Sequence, residues 1–242
     1  MPASVLLFAV TLLSPQQALE RALDAVEPPP ALRATFRATL TSGTAMRRIE
    51  YDPYAAPDQQ FKVTLSQGRD EELDAVVAGW KAEGQADVRL FADDLRTSLG
   101  EARVTRGTGE SWAIDFKHQI SANDGAVDAL ISSRMIGRLS FDDVTGYLAK
   151  VNYAIDRPVK LEDGTTLTDY RQTYSFGYSA RWGVSFVTGY ELEARGGRWG
   201  VSESRTVKVE LTDIAFGLAG DSQQEVASKA APYAPGATAQ LR

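Results

Sequence analysis

The amino-acid sequence predicts an α+β fold: a single large curved antiparallel sheet, in effect an open or incomplete β-barrel, with a few helices capping its concave face. From residue 102 to residue 216 most of the chain alternates apolar and polar side chains at strand spacing. Helical periodicity is confined to short segments. Because turn-forming glycines join successive strands, neighbouring strands should pair antiparallel. No internal repeat and no shift in composition divides the 242 residues, which predicts one folded domain.

The N-terminus has the pattern of a secretory signal. Residues 3–13, ASVLLFAVTLL, form an apolar run that is too short to span a bilayer as a helix. No Lys or Arg precedes this run, and Gln16 occupies a position where a small residue is usual before a cleavage site at Ala18. We predict that residues 1–18 are an atypical signal peptide and that the mature protein is periplasmic. A buried N-terminal helix is the alternative.

The next segments predict one helix and three strands. Residues 15–26 carry apolar side chains at helical spacing, and the EPPP that follows ends the helix. Residues 32–40 then alternate apolar and polar side chains, which is typical of a strand with one solvent-exposed face. A Ser-Gly turn leads to a second strand at 45–51, and alternating apolar residues predict a third at 61–65.

A helical insertion follows the third strand. Residues 70–83, DEELDAVVAGWKAE, place acidic side chains in the first turn, where the helix dipole favours negative charge. A second, shorter helix is predicted at 87–99, ending before a glycine. The apolar stripe of the first helix consists of Leu73, Val76, Val77 and Trp80.

The rest of the chain is predicted to be mostly strands joined by hairpin turns. Asp-Gly at 163–164 and Gly-Gly at 196–197 supply the positive φ that tight turns need. A short helix at 125–134 interrupts the strands. Residues 218–242 have few large apolar side chains and predict a flexible tail, which leaves 19–217 as the folded domain. The predicted strands are 102–105, 112–118, 137–141, 146–153, 159–161, 168–178, 182–192 and 205–214.

The predicted hairpin formed by strands 168–178 and 182–192 carries a row of aromatic side chains at even-numbered positions. In a strand this parity puts the rings on one surface. Directly paired residues share a face, so the rings of both strands face the same way if, for example, Tyr174 pairs with Phe186 and Tyr178 with Trp182. That register requires a connection of odd length or a bulge. The row comprises Tyr170, Tyr174, Phe176, Tyr178, Trp182, Phe186 and Tyr190.

The composition argues against several functional classes. The net charge of −6 and the pI near 5.0 argue against nucleic acid as a partner, because binding phosphates needs a basic face. The sequence has no cysteine, which removes thiolate nucleophiles, thiolate metal sites and a lipid-modified cysteine anchor. The sole histidine, His118, continues the apolar parity of a strand. We therefore predict no catalytic residue, no metal and no cofactor, and we expect that the protein is not an enzyme.

Acidic pairs and glycine clusters give only weak signals for chemistry. Neighbouring residues on a regular element point apart, so Asp93-Asp94 and Asp142-Asp143 are expected to be solvated and not to form acid/base couples. Two carboxylates distant in sequence could still meet in a glycosidase geometry. The glycine clusters do not open helices after strands, so hairpin turns explain them better than phosphate binding.

The predicted helices have too little apolar surface to cover the apolar face of the predicted sheet. The apolar helical stripes at 19–26 and 73–80 are short, whereas roughly ten strands each offer an apolar face. The sheet could close on itself, or it could stay open as a concave apolar cup with helices across its mouth. The aromatic row then lines the cup, with plain packed core as the alternative.

The layout and two segments resemble a known family. MRRIEYDPYAAPDQQFKVTLSQGRDEELDAVVAGW at 46–80 and GRLSFDDVTGYLAKVNYAIDRPV at 137–159 look like a group of uncharacterised proteobacterial proteins thought to share the fold of the periplasmic lipoprotein carrier LolA and its outer-membrane receptor LolB. The likeness runs from about Ala31 to Phe216. It implies an incomplete β-barrel whose hydrophobic concave surface holds acyl chains under helices that move aside.

The resemblance also implies roles for particular residues. The strand on which the carrier family places an arginine that holds the lid closed here contains Arg47 and Arg48, which remain alternatives. Residues implied to form part of the lid are Leu73, Val76, Val77 and Trp80. Residues implied to line the cup are Tyr174, Phe176, Trp182, Val184, Phe186 and Tyr190.

We therefore expect a periplasmic carrier or chaperone that binds acyl chains of a lipid or lipoprotein and carries out no chemistry on them. Without a cysteine it cannot be anchored as LolB is, so we expect no stable membrane anchor after signal cleavage, and envelope proteins as donor and acceptor. The first alternative is a carbohydrate-binding or carbohydrate-active envelope protein that uses the rings as sugar platforms. The second is a structural envelope protein with a plain packed core.

Overall fold

The computed structural model describes residues 15–92, 94–106, 112–120, 125–142, 145–198, 201–222 and 225–226. The apolar run predicted to be part of a signal peptide and most of the predicted tail lie outside these ranges. Asp93, Asp143 and the glycine cluster at 107–109 lie outside them as well.

One antiparallel sheet forms the framework of the fold. Its strands in the described part are β1 (Leu32–Ser42), β2 (Ala45–Tyr51), β3 (Phe61–Gln67), β4 (Leu99–Arg106), β5 (Trp112–His118), β6 (Met135–Phe141), β7 (Leu148–Ile155), β8 (Val159–Lys160), β9 (Thr166–Ser179), β10 (Val184–Arg198) and β11 (Val201–Leu218). They lie in the order β3-β2-β1-β11-β10-β9-β7-β6-β5-β4, with β8 paired to β9. The sheet does not close, because β3 and β4 end it on opposite sides. The predicted α+β class with an open curved sheet is confirmed.

Short helices pack against the sheet. Within the described ranges these are α1 (Pro15–Val26), α2 (Glu71–Ala82), a 3₁₀-helix (Ala86–Leu90), α3 (Leu95–Ser98) and α4 (Ala126–Ser132). The helix predicted at 15–26 is confirmed, and Ala18, the predicted cleavage position, lies in its first turn. The apolar face of α1 is buried. A single side chain on α3, Arg96, joins the two helices through ion pairs of 3.0, 2.7 and 2.7 Å to Glu20, Asp24 and Glu27.

The first three strands follow the predicted alternation. In β1 the even-numbered side chains from residue 32 to residue 42 are buried, and the intervening ones are half-buried or exposed. Gly43 turns the chain into β2 with a φ of 55°, a conformation that glycine adopts without a Cβ penalty. The register pairs Phe36 with Tyr51 and Ser42 with Ala45, so both strands bury the same face.

The helical insertion is only partly as predicted. The helix α2 is confirmed, and its N-cap Asp70 accepts a hydrogen bond from the Leu73 N–H at 2.8 Å. The second predicted helix is broken, because Phe91 is extended between the 3₁₀-helix and α3. The buried Asp87 carboxylate accepts hydrogen bonds from the Ala34 N–H (3.2 Å) and the Tyr51 hydroxyl (3.4 Å). This tertiary anchor fixes the 3₁₀-helix to the sheet and overrides local helix propensity.

The long C-terminal hairpins correct two details of the prediction. A four-residue connection follows β9, so Ser179 pairs with Val184, and a bulge at Thr188 then changes the parity. The predicted bulge is therefore present, but the pairing of Tyr174 with Phe186 is wrong. The glycines at 196–197 lie inside β10 and do not form the hairpin turn. The connection to β11 is residues 199–200, outside the described part.

The buried face of the sheet carries two hydrophobic clusters. The first contains β1, β2, β10, β11, α2 and the 3₁₀-helix, and the second contains α1, Leu95 and strands β5 to β7. Tyr174 and Phe176 on β9 contact both clusters. β9 therefore lies between two separately packed regions of the same face, and this is where a cavity forms.

The described beginning of the predicted tail packs against the sheet. Val226 is 3% exposed, and a Cβ added at Gly217 would lie 2.6 Å from its side chain. The Asp221 carboxylate accepts a hydrogen bond from the Leu218 N–H at 2.8 Å. Contact with β11 thus extends several residues into the segment predicted to be flexible. Among the helices that the structure describes, none has the length and apolar character needed to cross a membrane.

Candidate functional site

A cavity of about 580 Å³ lies between the sheet and the segment that joins α2 to α3. This volume falls within the range of about 300 to 1,000 Å³ that is usual for small-molecule sites. Strands β5, β6, β7, β9 and β10 form one wall, and the 3₁₀-helix, α3 and α4 supply the rest. Its lining residues are Glu83, Val88, Arg89, Phe91, Ala92, Asp94, Leu95, His118, Asp128, Ile131, Ser132, Met135, Val151, Tyr153, Tyr170, Gln172, Tyr174, Phe176 and Val187.

The wall formed by the sheet is built on alternate residues of β9. Tyr170, Gln172, Tyr174 and Phe176 share one face, because side chains two residues apart project to the same side of a strand. Neighbouring strands extend the wall at matching levels. Val187 pairs with Phe176 on one side, while Val151 and Tyr153 on β7 pair with Tyr174 and Gln172 on the other. These pairs share the face that lines the cavity.

Tyrosine rings dominate this wall. Tyr153 and Tyr174 meet edge to face, with ring centroids 6.2 Å apart at 88°. Tyr190 packs behind Tyr174 at 4.8 Å, and His118 lies edge-on against Tyr153 at 5.4 Å. Edge-to-face pairs are favourable arrangements of aromatic quadrupoles, so each ring is held by its neighbours. The wall is therefore a fixed surface, as a pre-formed binding site requires.

Burial keeps these phenols protonated. It raises the pKa of Tyr153 to about 12, and it is also the main cause of the raised pKa values of Tyr170, Tyr174 and Tyr190. The hydroxyls are consequently neutral hydrogen-bond donors at physiological pH. Tyr170 accepts a hydrogen bond from the Gln172 amide at 2.8 Å. Within the described part of the chain the Tyr174 hydroxyl makes no hydrogen bond, which leaves a polar group for a ligand to contact.

The cover of the cavity is short and irregular. Phe91 is extended after the 3₁₀-helix, and both Phe91 and Ala92 line the cavity. Arg89 is held in place by two hydrogen bonds to the Glu83 carboxylate. On α4, Ile131 and its neighbours close the remaining side. The 3₁₀-helix and α3 have only five and four residues and make few hydrogen bonds of their own, so they are the part of the cover best suited to move.

The residues predicted to line the cup divide into two groups. Tyr174 and Phe176 line the cavity, whereas the other four are not among its lining residues. Val184 and Phe186 are each 2% exposed, and the Phe186 ring packs against Phe216 at 5.1 Å. Phe186 comes before the bulge and pairs with Gly177, and its ring lies over that glycine. Trp182 lies in the β9–β10 connection beside Arg181, and Tyr190 backs the wall through Tyr174.

The predicted lid helix packs elsewhere. Leu73 and Val77 are buried in the cluster formed by β1 and β2, and Trp80 meets the Phe36 ring edge-on at 6.5 Å. Val76 is 39% exposed. None of the four predicted lid residues lines the cavity. Helix α2 therefore covers the sheet beside the cavity, and the segment after it provides the cover.

The structure distinguishes the two arginines of β2. Arg47 is 3% exposed and forms an ion pair of 2.7 Å with Asp74 on α2, while its guanidinium also donates to the Met46 and Gln67 carbonyls. The hydrogen bond to Asp74 is the main cause of a raised pKa for Arg47, and the same bond lowers the pKa of Asp74. Arg48 is exposed. Of the two, Arg47 is the residue that ties α2 to the sheet.

A second depression, of about 1020 Å³, lies at the other end of the β10–β11 hairpin and is lined mainly by polar and charged residues. Three of its charged side chains form one group of ion pairs. Arg205 forms ion pairs with Asp70 (2.9 Å) and with Glu72. These contacts attach the first turn of α2 to β11, so this depression has a structural explanation.

Sequence reasoning missed the residues that come from elements other than the aromatic hairpin. Phe91 and Leu95 belong to a segment predicted to be a continuous helix, and Tyr153 belongs to β7, whose pairing with β9 was not predicted. The even parity of β9 was the available signal, and it placed Tyr174 and Phe176 on the face that lines the cavity. Among the described residues, no group of three or more histidines, aspartates or glutamates is placed to hold a metal ion.

Comparisons with known proteins found no match for this chain. No protein-family model, no curated protein and no solved structure matches it. The resemblance to LolA and LolB therefore remains a prediction from the sequence.

Proposed function

We propose that this protein is a non-catalytic carrier that holds an acyl chain of a lipid or lipoprotein in the cavity beside β9. The observation that carries the proposal is the cavity of about 580 Å³ on one face of an open sheet, whose lining combines aromatic and aliphatic side chains with several polar and charged ones. The pocket opens to solvent, and its volume is that of an ordinary small-molecule site. The proposal accounts for the pocket as a binding site.

Desolvation would supply the binding energy. Each methylene of an acyl chain that leaves water contributes about 0.8 kcal/mol. Phe91, Leu95, Val151, Phe176 and Val187 provide apolar contacts for such a chain. The ordered rings lose little freedom when a ligand enters, which reduces the entropic cost of binding.

Entry and release would require the cover to move, with no chemical step. The Phe91–Ala92 link and α3 are the elements to displace, because α2 is attached to the sheet by Arg47 and by Arg205. The exposed ion pair between Arg89 and Glu83 is one contact that opening would break. Exposed pairs of this kind contribute about 0 to 1 kcal/mol, so they oppose opening only weakly.

The setting of this activity is proposed from the sequence. An atypical signal peptide at 1–18 would deliver the protein to the periplasm, where donor and acceptor proteins of the envelope would load and unload it. In that setting a carrier without a cysteine would not be lipid-anchored. The resemblance to LolA supports this assignment.

The test is to fill the cavity. Ala92→Trp places an indole ring at a position that lines the cavity, and Ala82→Trp makes the same substitution on the exposed end of α2. Native mass spectrometry of the protein purified from the periplasm should detect a bound acyl species in the wild type and in Ala82→Trp, but not in Ala92→Trp. A neutral fluorescent acyl probe should bind Ala92→Trp at least tenfold more weakly.

The opposite results would reject the carrier. If the wild type carries no bound species and takes up no acyl probe, the cavity is not an acyl-chain site. If Ala92→Trp folds and binds the probe as the wild type does, the ligand lies elsewhere. Binding of a soluble oligosaccharide in place of the acyl probe would favour the carbohydrate alternative.

A further inference from the structure

The part of the cover formed by α3 is a single short turn with one buried side chain. Leu95 lines the cavity and is 2% exposed. Within the turn, the N–H groups of Thr97 and Ser98 both donate to the Asp94 carbonyl, at 3.1 and 2.9 Å. A helix of four residues has little stability of its own. The position of α3 therefore depends on its contacts with other elements.

Arg96 is the charged side chain of α3, and it reaches α1. Each nitrogen of its guanidinium pairs with a different carboxylate: Nη1 with Glu20 at 3.0 Å, Nη2 with Asp24 at 2.7 Å, and Nε with Glu27 at 2.7 Å. The carboxylates follow one another at intervals of four and three residues, the spacing that places side chains on one side of a helix. We call this group of four side chains the Arg96 clasp.

Helix α1 gives the clasp a fixed support. Leu23 and Val26 are 3% and 0% exposed, and they pack in the cluster that also contains Leu95. Arg21 donates a hydrogen bond to the Tyr147 hydroxyl at 2.5 Å and lies 4.4 Å from the centre of that ring. Displacing α1 would expose several buried apolar side chains, whereas displacing α3 would expose Leu95. Helix α3 is therefore the element that moves, and α1 is the element that holds it.

The exposure of the clasp makes it sensitive to salt. Its four side chains are 37 to 75% exposed, so mobile ions can screen their attraction. A single exposed ion pair contributes little, but several charges arranged in a network contribute more. The other charged contact of the cover, between Arg89 and Glu83, involves one carboxylate. The Arg96 clasp is therefore the larger electrostatic restraint on the cover.

We propose that the Arg96 clasp holds α3 closed over the cavity, so that ionic strength controls how fast a ligand enters and leaves. The inference rests on the proposed function, because it assigns the contact that regulates exchange at the same cavity. Opening breaks the three ion pairs and leaves α1 in place. No chemical step is involved.

Hydrogen exchange tests the clasp without a ligand. The N–H groups of Thr97 and Ser98 are hydrogen-bonded within α3, so their exchange reports its opening. In about 0.01 M NaCl, where the Debye length is about 30 Å, amides of residues 95–98 should exchange about three- to tenfold faster in Arg96→Met than in the wild type. In about 1 M NaCl, where the Debye length is about 3 Å, exchange in the wild type should approach that in the variant.

Release of a ligand should follow the same pattern. The probe is methyl pyrenedecanoate, a neutral fluorescent acyl ester, and its release from the full-length protein is followed by stopped-flow fluorescence. At low salt Arg96→Met should release the probe about three- to tenfold faster than the wild type does. Salt should accelerate release from the wild type relative to Arg96→Met, because the variant has no clasp to screen.

Arg37→Met is the matched control. Arg37 is also partly exposed, and it pairs with two carboxylates, those of Glu50 at 3.1 Å and Asp213 at 2.6 Å. These contacts join β1, β2 and β11 and involve neither α1 nor α3. Arg37→Met should therefore change neither exchange at residues 95–98 nor release of the probe.

A second variant removes the clasp from the side of α1. The triple variant Glu20→Gln, Asp24→Asn, Glu27→Gln lacks all three partners of Arg96 and should match Arg96→Met in both measurements. Adding Arg96→Met to the triple variant should have no further effect, because residues of one ion-pair network are coupled. The triple variant also provides the test if Arg96→Met does not fold.

The outcomes distinguish the clasp from the carrier. Equal exchange at residues 95–98 in the wild type and in Arg96→Met at low salt, or an equal effect of Arg37→Met, would overturn the clasp, and probe binding by the wild type would leave the carrier intact. Faster exchange without faster release of the probe would also overturn the inference, because α3 would not control the cavity. If exchange responds as expected but the wild type binds no probe, the acyl-chain carrier is rejected and the hold of Arg96 on α3 stands.

Discussion

Replacing Gly137 with alanine tests how the sheet supports the cavity wall. Gly137 on β6 pairs directly with Phe116 on β5, and the Phe116 ring lies over the glycine. A Cβ at residue 137 would stand 2.1, 2.4 and 2.5 Å from three carbons of that ring, whereas ordinary contact begins at 3.4 Å. The ring would have to retreat by about 1.3 Å. It has little room to do so, because Phe116 is 3% exposed and its ring packs edge-on against Tyr153 at 5.7 Å.

The expected cost follows from two opposing effects. Overpacking a core costs about 1 to 3 kcal/mol, and this overlap is severe. Alanine in place of glycine restricts the unfolded chain and recovers about 0.4 to 1 kcal/mol. We expect Gly137→Ala to lower the free energy of unfolding by about 2 kcal/mol. Displacement of the Phe116 ring should also disturb Tyr153, so affinity for the acyl probe should fall.

Urea denaturation followed by tryptophan fluorescence measures the first effect. A double variant, Gly137→Ala with Phe116→Leu, provides the control, because the smaller side chain leaves space for the new methyl group. Two residues in contact should be coupled, so the double variant should be more stable than the sum of the single effects predicts. If Gly137→Ala is as stable as the wild type, or if the two effects simply add, the ring does not occupy the space above Gly137 as described.

Two further predictions concern the segment around α2. Burial raises the pKa of Asp87, so the folded state holds the Asp87 proton more tightly than the unfolded state does. Protonated Asp87 therefore stabilises the fold fully at pH values below the unfolded pKa. This stabilisation is lost as the pH rises through the raised pKa of the folded state. Asp87→Asn retains an acceptor for the Ala34 N–H without the charge. The variant should therefore unfold at a higher temperature than the wild type at pH 7 and at a similar temperature near pH 3. A lower unfolding temperature of the variant at pH 7 would contradict this account. Arg47→Met should increase hydrogen exchange of the α2 amides because the link to Asp74 is lost, whereas Arg48→Met, at an exposed position of the same strand, should not; equal effects would show that α2 does not depend on Arg47.

The candidate site could be predicted only where it depends on strand parity. Tyr174 and Phe176 line the cavity because both are even-numbered residues of β9, and this alternation is readable in the sequence. Phe186 has the same parity but lies before the bulge at Thr188, so it pairs with Gly177 and not with Tyr174 as predicted. A bulge is stabilised by pairing between strands, and its position is not encoded in the alternation of one strand. The cover was also missed, because the anchoring of Asp87 by the sheet breaks the predicted helix.

The sequence by itself determined the elements with strong local periodicity. Helix α1 ends where the prolines place it, β1 buries alternate residues, and a single antiparallel sheet with few helices follows from the number of strands that the alternation predicts. Tertiary structure decided the register after the bulge, the choice of Arg47 over Arg48, and the cavity between two hydrophobic clusters. Periodicity reports which face of one element is apolar, whereas a cavity depends on how several elements fail to fill the space between them, and that is a property of the packed chain alone.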